Sequence, residues 1–226
     1  MASAKALIGA VAGRFLFRHG AVTRVTPLGE HFRRIDVAGP ELAGAGFVPG
    51  DKVQVFFAGV GMRTYTPVTW SPEGATSFIG FAHGETPGAT WVRTAKAGDA
   101  VALFGPRWSI DVSDVTQPLL IIGDETSLAL ACALASASTT RPVTAVLEAG
   151  AVDELREVGS LLGLRSLTVV ARGALEPAVR AALSTGAVPV FTGRAASIQA
   201  LKQALGAAAR AGKTKAYWAE GKRGLD

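Results

Sequence analysis

The run PLLIIGD, residues 118–124, limits more than any other segment what this chain can become. Its apolar residues follow one another without a polar break, as in a strand buried on both faces. ETSLALACALASAS comes directly after it and has helical length. PVTAVLEAG, SLTVVARG, VPVFTGR and KAYWAEG read as further strands, with helical stretches around 152–159, 174–184 and 195–210 between them. Strands alternating with helices build a parallel sheet. Upstream the rhythm differs. Residues 20–110 are short alternating runs (AVTRVTPLG, FRRIDVAG, DKVQVFFAG, RTYTPVTW, TSFIGFAHG, DAVALFGP) punctuated by Gly, Pro and Asp. That is the pattern of an antiparallel barrel or sandwich. One interruption, PGATWVRTAKAGD, opens a short helix near Gly88. The change of rhythm falls in DVSDVTQ, 111–117, so the expected domains are a β-domain over 18–113 and an α/β domain over 114–226.

The 226 residues are 49% hydrophobic and 18% charged, which predicts well-cored domains and excludes disorder. A net charge of +5 favours an anionic ligand. Lys and Arg never run longer than two together, which argues against a nucleic-acid surface. The single cysteine, Cys132, forms no internal disulfide and no thiolate metal site, and reads as a buried structural thiol. No His/Cys cluster points to a protein-bound metal. The N-terminal MASAKALIGAVAGRFLFRHG reads as a terminal helix, because Arg14 interrupts its apolar patch. No segment reaches the ~18 apolar residues that span a bilayer, and the expected location is the cytoplasm.

Residues 62–70, MRTYTPVTW, carry the chemistry. On a strand, Arg63 and Tyr65 share one face and Thr66 takes the other, unless the strand bends before Pro67. Arginine can fork onto a phosphate, tyrosine can stack on a flat heterocycle, and threonine can reach a ring heteroatom. The set fits a planar ring joined to a phosphate, and equally an ordinary strand with a surface arginine. FAHGETPGATW adds a helix start, whose N–H groups suit a pyrophosphate. The strand ends of the second half, among them GDETS, EAG and TGR, would line a ligand crevice between the halves. No G-x-G-x-x-G fingerprint is present. His83 reads as a turn residue beside that ligand, and Asp124 with Glu125 as a helix cap. Trp218 fits either the core or the cleft. Lys222 and Arg223 fit either a solvated tail or a basic border.

Taken in order, VTPLGEHFRRIDVAGPEL, PGDKVQVFFAG, RTYTP, FAHGETPGATW, AGDAVALFGPRWS, LLIIGDETSLA and YWAEGKRG resemble the siderophore-interacting proteins, flavin-dependent ferric-siderophore reductases of the ferredoxin-reductase superfamily. The resemblance runs from Ala21 to Gly224. It implies a Greek-key barrel holding FAD, followed by an α/β domain that docks NADH or NADPH, with reduced ferredoxin another possible donor. It implies that Arg63 holds the FAD phosphate, Tyr65 packs on the isoalloxazine and Thr66 meets the reactive ring edge. Ala82, His83, Gly84, Ala89, Thr90 and Trp91 would wrap the pyrophosphate and adenosine, and Asp124 would lie at the first turn of the nicotinamide domain. Lys52, Lys222 and Arg223 would draw in the ferric siderophore. Three positions depart from the family pattern: Val68 and Gln54 stand where bases are common, and Arg194 stands where a glutamate is. Two other readings stay open: a flavin reductase that serves a protein partner, and a flavin- or nucleotide-binding module without turnover.

Overall fold

The computed structural model describes residues 17–58, 61–183 and 185–221. Seven strands form the first sheet: β1 Arg18–Pro27, β2 Phe32–Ala38, β3 Lys52–Phe57, β4 Gly61–Tyr65, β5 Pro67–Trp70, β6 Ala75–Phe81 and β7 Ala100–Arg107. Their spatial order is β4-β3-β7-β1-β2-β6-β5, and every pairing is antiparallel. The two edge strands, β4 and β5, are joined by Thr66 alone. A sheet whose outer strands are one residue apart in sequence must curl until those edges meet, so it closes into a barrel. Strand β4 ends at Tyr65, and the chain turns at Thr66 into β5. The barrel is filled from the alternating faces of its strands by Val22, Ile35, Val37, Val53, Val55, Phe78 and Leu103, each at most 1% exposed.

Residues 1–16 of the run read as a terminal helix lie outside the described residues, and 18–20 already belong to β1. Arg18, His19 and Gly20 pair with Leu103, Ala102 and Val101 of β7, and that ladder overrides a helical continuation.

The second sheet is parallel, in the order β10-β9-β8-β11-β12: β8 Leu119–Asp124, β9 Val143–Ala149, β10 Leu167–Ala171, β11 Val188–Arg194 and β12 Lys213–Trp218. All six residues of β8 are buried, as its unbroken apolar run requires. The chain runs outward from β8 through β9 to β10, then crosses back to β11. The topological switch therefore lies between β8 and β11, the place where such sheets take ligands. The helices are α1 Pro87–Thr94 against the barrel, then α2 Leu128–Ala137, α3 Val152–Leu161, α4 Leu175–Leu183 and α5 Ala195–Leu205 around the parallel sheet. Helix α2 is buried continuously from Leu128 to Leu134, because it packs on the parallel sheet on one side and on β5 and β6 of the barrel on the other. Phe32 and Ile79 of the barrel share one apolar cluster with Leu128, Leu130 and Leu147. Cys132 sits in this layer, where burial pushes its thiol up to about 12, so it is unreactive at neutral pH.

A polar clasp fastens the two sheets at another point. The turn between β1 and β2 presents the His31 backbone N–H to Glu154 Oε1 at 2.7 Å, and His31 Nδ1 meets Oε2 at 2.8 Å. Glu154 lies in the first turn of α3. The approach depends on Gly29, where a Cβ would stand 2.5 Å from Glu154 Oε1. Glu154→Ala should therefore lower stability by about 1–2 kcal/mol, since it strands a part-buried N–H. Gly29→Ala should destabilise the wild type and cost clearly less in the Glu154→Ala background. Urea unfolding of the four proteins of this double-mutant cycle measures the coupling.

Candidate functional site

The arginine, tyrosine and threonine of RTYT come together at the seam where the barrel closes. Val55 pairs with Arg63 and Val53 with Tyr65, so both site residues share the face of two core valines. They point to the barrel end that α1 covers. Thr86 caps that helix: its side chain accepts from Ala89 N at 3.2 Å, and Pro87 supplies the first helical residue. Tyr65 Oη donates to the Gly88 carbonyl at 3.2 Å. The tyrosine ring meets Trp91 edge-on, with centroids 5.0 Å apart. Burial drives the Tyr65 phenol far above its ordinary pKa, against the opposing pull of the Arg63 charge, so it stays a neutral donor. Arg63 Nη1 donates to the Met62 carbonyl at 2.7 Å. A Cβ on Gly88 would meet Tyr65 Oη at 2.9 Å and Arg63 Cγ at 3.6 Å. Only glycine lets the Tyr65 hydroxyl and Arg63 pack this close to the helix start. An anion there would face a guanidinium and a helix N-terminus together, and the residues fit the phosphates of a flavin nucleotide.

The rest of the 82–91 segment surrounds this point. Ala82 is buried, and its N–H bonds the His31 carbonyl at 2.8 Å. His83 is exposed and stacks on Phe81 at 5.5 Å. The Gly84 carbonyl accepts from Arg93 Nη1 at 3.0 Å, Ala89 is buried, and Thr90 faces outward.

Across the cleft stand the carboxyl ends of β8, β11 and β12, tied by one carboxylate. Asp124 is 1% exposed and accepts four hydrogen bonds. Oδ1 takes the Thr126 N–H at 2.9 Å and the Thr126 hydroxyl, which is the cap expected from sequence. Oδ2 takes the Arg194 N–H at 2.9 Å and the Trp218 indole N–H at 2.8 Å. Gly193 makes room, since at its φ of 96° a Cβ would sit 2.7 Å from the Asp124 carboxyl. Trp218 thus belongs to the cleft: its ring centroid lies 5.9 Å from that of His83 and 5.6 Å from the Arg194 guanidinium. Arg194 also pairs with Glu220 at 2.7 Å. Glu125 accepts from Arg172 through both oxygens at 2.8 Å, and from Gly150 N at 2.9 Å. The Asp124–Glu125 pair is therefore fully engaged in holding strand ends. Below it, Thr192 donates to Ser127 at 2.7 Å inside the switch-point crevice.

Lys52 is half-buried at the start of β3, and its register partner is Arg107 of β7. Sequence reasoning missed Arg107. Its Nη2 donates to Gln54 Oε1 at 2.5 Å and its guanidinium lies 4.2 Å from the Phe104 ring. A base from the neighbouring strand thus stands beside the position where Gln54 had read as a lost one. The signal available was the arginine in FGPRWS, but nothing local says which strand it faces. Lys222 and Arg223 lie outside the described residues. Among the described residues no group of three metal-ligating side chains forms, and no helix is long and apolar enough to cross a membrane.

A seven-stranded antiparallel barrel joined to a five-stranded parallel sheet with helices has the ferredoxin-reductase-like fold. Residues 58–110 match the model of the siderophore-interacting FAD-binding domain, so the resemblance read from the sequence holds. No curated protein sequence matches the chain. Among solved structures, a siderophore utilization protein from T. fusca is 21% identical, with 93% of this chain and 95% of that one covered and a TM-score of 0.76. The siderophore-interacting protein SipS from Aeromonas hydrophila is 18% identical over 91% of this chain and 100% of its own, TM-score 0.65. Phthalate dioxygenase reductase, described as a modular structure for electron transfer from pyridine nucleotides to a 2Fe-2S group, is 11% identical over 92% of this chain and 70% of its own, TM-score 0.75. At these identities the structures share the fold.

Proposed function

We propose that this FAD-binding protein is a ferric-siderophore reductase that draws electrons from NADH or NADPH. The observation that supports the reading is the meeting of Arg63 and Tyr65 with the capped start of α1, where Tyr65 Oη donates to the Gly88 carbonyl. In this reading Arg63 binds the flavin phosphate, residues 82–91 hold the pyrophosphate and adenosine, and Tyr65 and Thr66 flank the ring. Asp124 keeps the donor side of the cleft in shape through Arg194 and Trp218. Bound FAD supplies the change from a two-electron donor to single-electron delivery: one NAD(P)H reduces two Fe(III) to two Fe(II), leaving NAD(P)+ and a proton. The protein positions the partners. Lys52 and Arg107, with Lys222 and Arg223, attract the anionic chelate. The shared fold of phthalate dioxygenase reductase, with its pyridine-nucleotide donor, supports the choice of reductant.

The test is anaerobic turnover with NADH or NADPH and a ferric chelate, with Fe(II) trapped by a coloured ligand. Chelate reduction should slow as salt rises, more for anionic than for neutral chelates, because the attraction is screened over ~10 Å at 0.1 M. Lys52→Ala and Arg107→Ala should each lose much of that salt dependence, while donor-driven bleaching of the flavin keeps its rate. Rapid bleaching with no Fe(II) formed from any chelate would move the assignment to reduction of a protein partner.

A further inference from the structure

The hydroxyl of Tyr217 touches both halves of the molecule. This residue lies on β12, the edge strand of the parallel sheet. Gly193 pairs with Ala216 and Arg194 with Trp218, so Tyr217 falls between them as the extra residue of a bulge. A bulge re-aims the side chain it adds. Here the Tyr217 hydroxyl is in hydrogen-bond contact with the side chains of Thr66 and Thr192. Thr66 is the residue that joins β4 to β5 at the barrel seam, and Thr192 lies on β11 at the switch point. Burial of the phenol and, less strongly, the charge of Asp124 push its pKa up to about 12 against these contacts, so it stays a neutral hydroxyl.

The contacts continue inward. Thr192 donates to Ser127 Oγ at 2.7 Å, and both residues are 0% exposed. One chain of hydroxyls, Thr66–Tyr217–Thr192–Ser127, thus runs from the barrel seam to the N-cap of α2. Each hydroxyl has one proton to donate and lone pairs with which to accept. The Thr192 proton is committed to Ser127, so toward Tyr217 Thr192 can only accept. The single Tyr217 proton then goes to Thr192, and toward Thr66 the phenol oxygen can only accept. The Thr66 proton is drawn to Tyr217 in turn. For any other neighbour Thr66 keeps only its lone pairs.

Resting on the reductase reading above, in which Thr66 flanks the flavin ring, we propose that Tyr217 is a positioning residue that turns the Thr66 proton away from the ring and leaves Thr66 facing it as an acceptor. The reactive edge of a flavin carries an N–H donor when the ring is reduced and a bare lone pair when it is oxidised, and hydrogen bonds to ring nitrogens tune its electronics. An acceptor at that edge favours the reduced form, and a donor favours the oxidised one.

The experiment measures the two-electron midpoint potential of bound FAD by anaerobic titration beside a reference dye. Tyr217→Phe keeps the ring and removes the hydroxyl, which frees the Thr66 proton for the oxidised flavin. The preference of the protein for reduced over oxidised FAD should fall about tenfold, which lowers the midpoint by about 30 mV for a two-electron couple. Thr192→Val breaks the chain one link farther on and should move the midpoint in the same direction. In a Thr66→Val background, Tyr217→Phe should leave the midpoint where it is, because the effect runs through Thr66. Equal midpoints in wild type, Tyr217→Phe and Thr192→Val, or a Tyr217→Phe shift that persists in the Thr66→Val background, would overturn the inference, while Fe(II) formation by the wild type keeps the reductase reading in place. Failure of the wild type to take up FAD would overturn both.

Discussion

Asp124→Ala should lower the unfolding free energy by about 3–5 kcal/mol, among the largest effects a single substitution has. The carboxylate accepts from two backbone N–H groups, one hydroxyl and one indole, and it is 1% exposed. Truncation leaves these part-buried donors without their acceptor, and each unmet one costs about 1–3 kcal/mol before any water enters. The loss falls on three strand ends at once, so Trp218 and Arg194 should loosen together. Asp124→Asn should recover part of the loss, since one oxygen remains to accept while the new NH2 opposes two donors. Urea unfolding followed by circular dichroism gives the midpoints, and indole fluorescence reports the release of Trp218. A shift below ~1 kcal/mol would mean that the strand ends are held by something other than this carboxylate.

Arg63→Ala should weaken FAD binding about tenfold or more, from the loss of a charge-assisted contact of roughly 1.5–3 kcal/mol, and leave the unfolding midpoint nearly unchanged. Its only described hydrogen bond is to the adjacent Met62 carbonyl, so the barrel does not depend on it. Gly88→Val should weaken FAD binding by a different route, by pushing Tyr65 Oη and Arg63 away from the helix start. Fluorescence titration with FAD separates the two. Equal affinity in wild type and Arg63→Ala would return this arginine to an ordinary surface role.

The two rhythms of the sequence translated well because each is a local consequence of burial. PLLIIGD had to be a strand covered on both faces, and TPGATW had to start a helix, with Thr86 at its cap. RTYT was legible as a strand with Arg63 and Tyr65 on one face, because its spacing is that of a strand. Contacts between distant residues were not legible. Arg107 reaches Gln54 across 53 residues, Trp218 reaches Asp124 across 94, and Glu154 reaches His31 across 123. Each depends on strand order or on the docking of the two sheets, and neither leaves a periodic trace. Gln54 shows the consequence: read alone it is a missing base, and in the barrel it steadies one.

The central claim is that the RTYT seam and the start of α1 hold FAD, and the absorption spectrum of the purified protein tests it most directly. The protein should be yellow with flavin bands, or become so with one equivalent of FAD, and should bind FAD more tightly than FMN because the N–H groups at the start of α1 suit a pyrophosphate. A colourless protein whose addition changes neither the absorbance nor the fluorescence of FAD would contradict it.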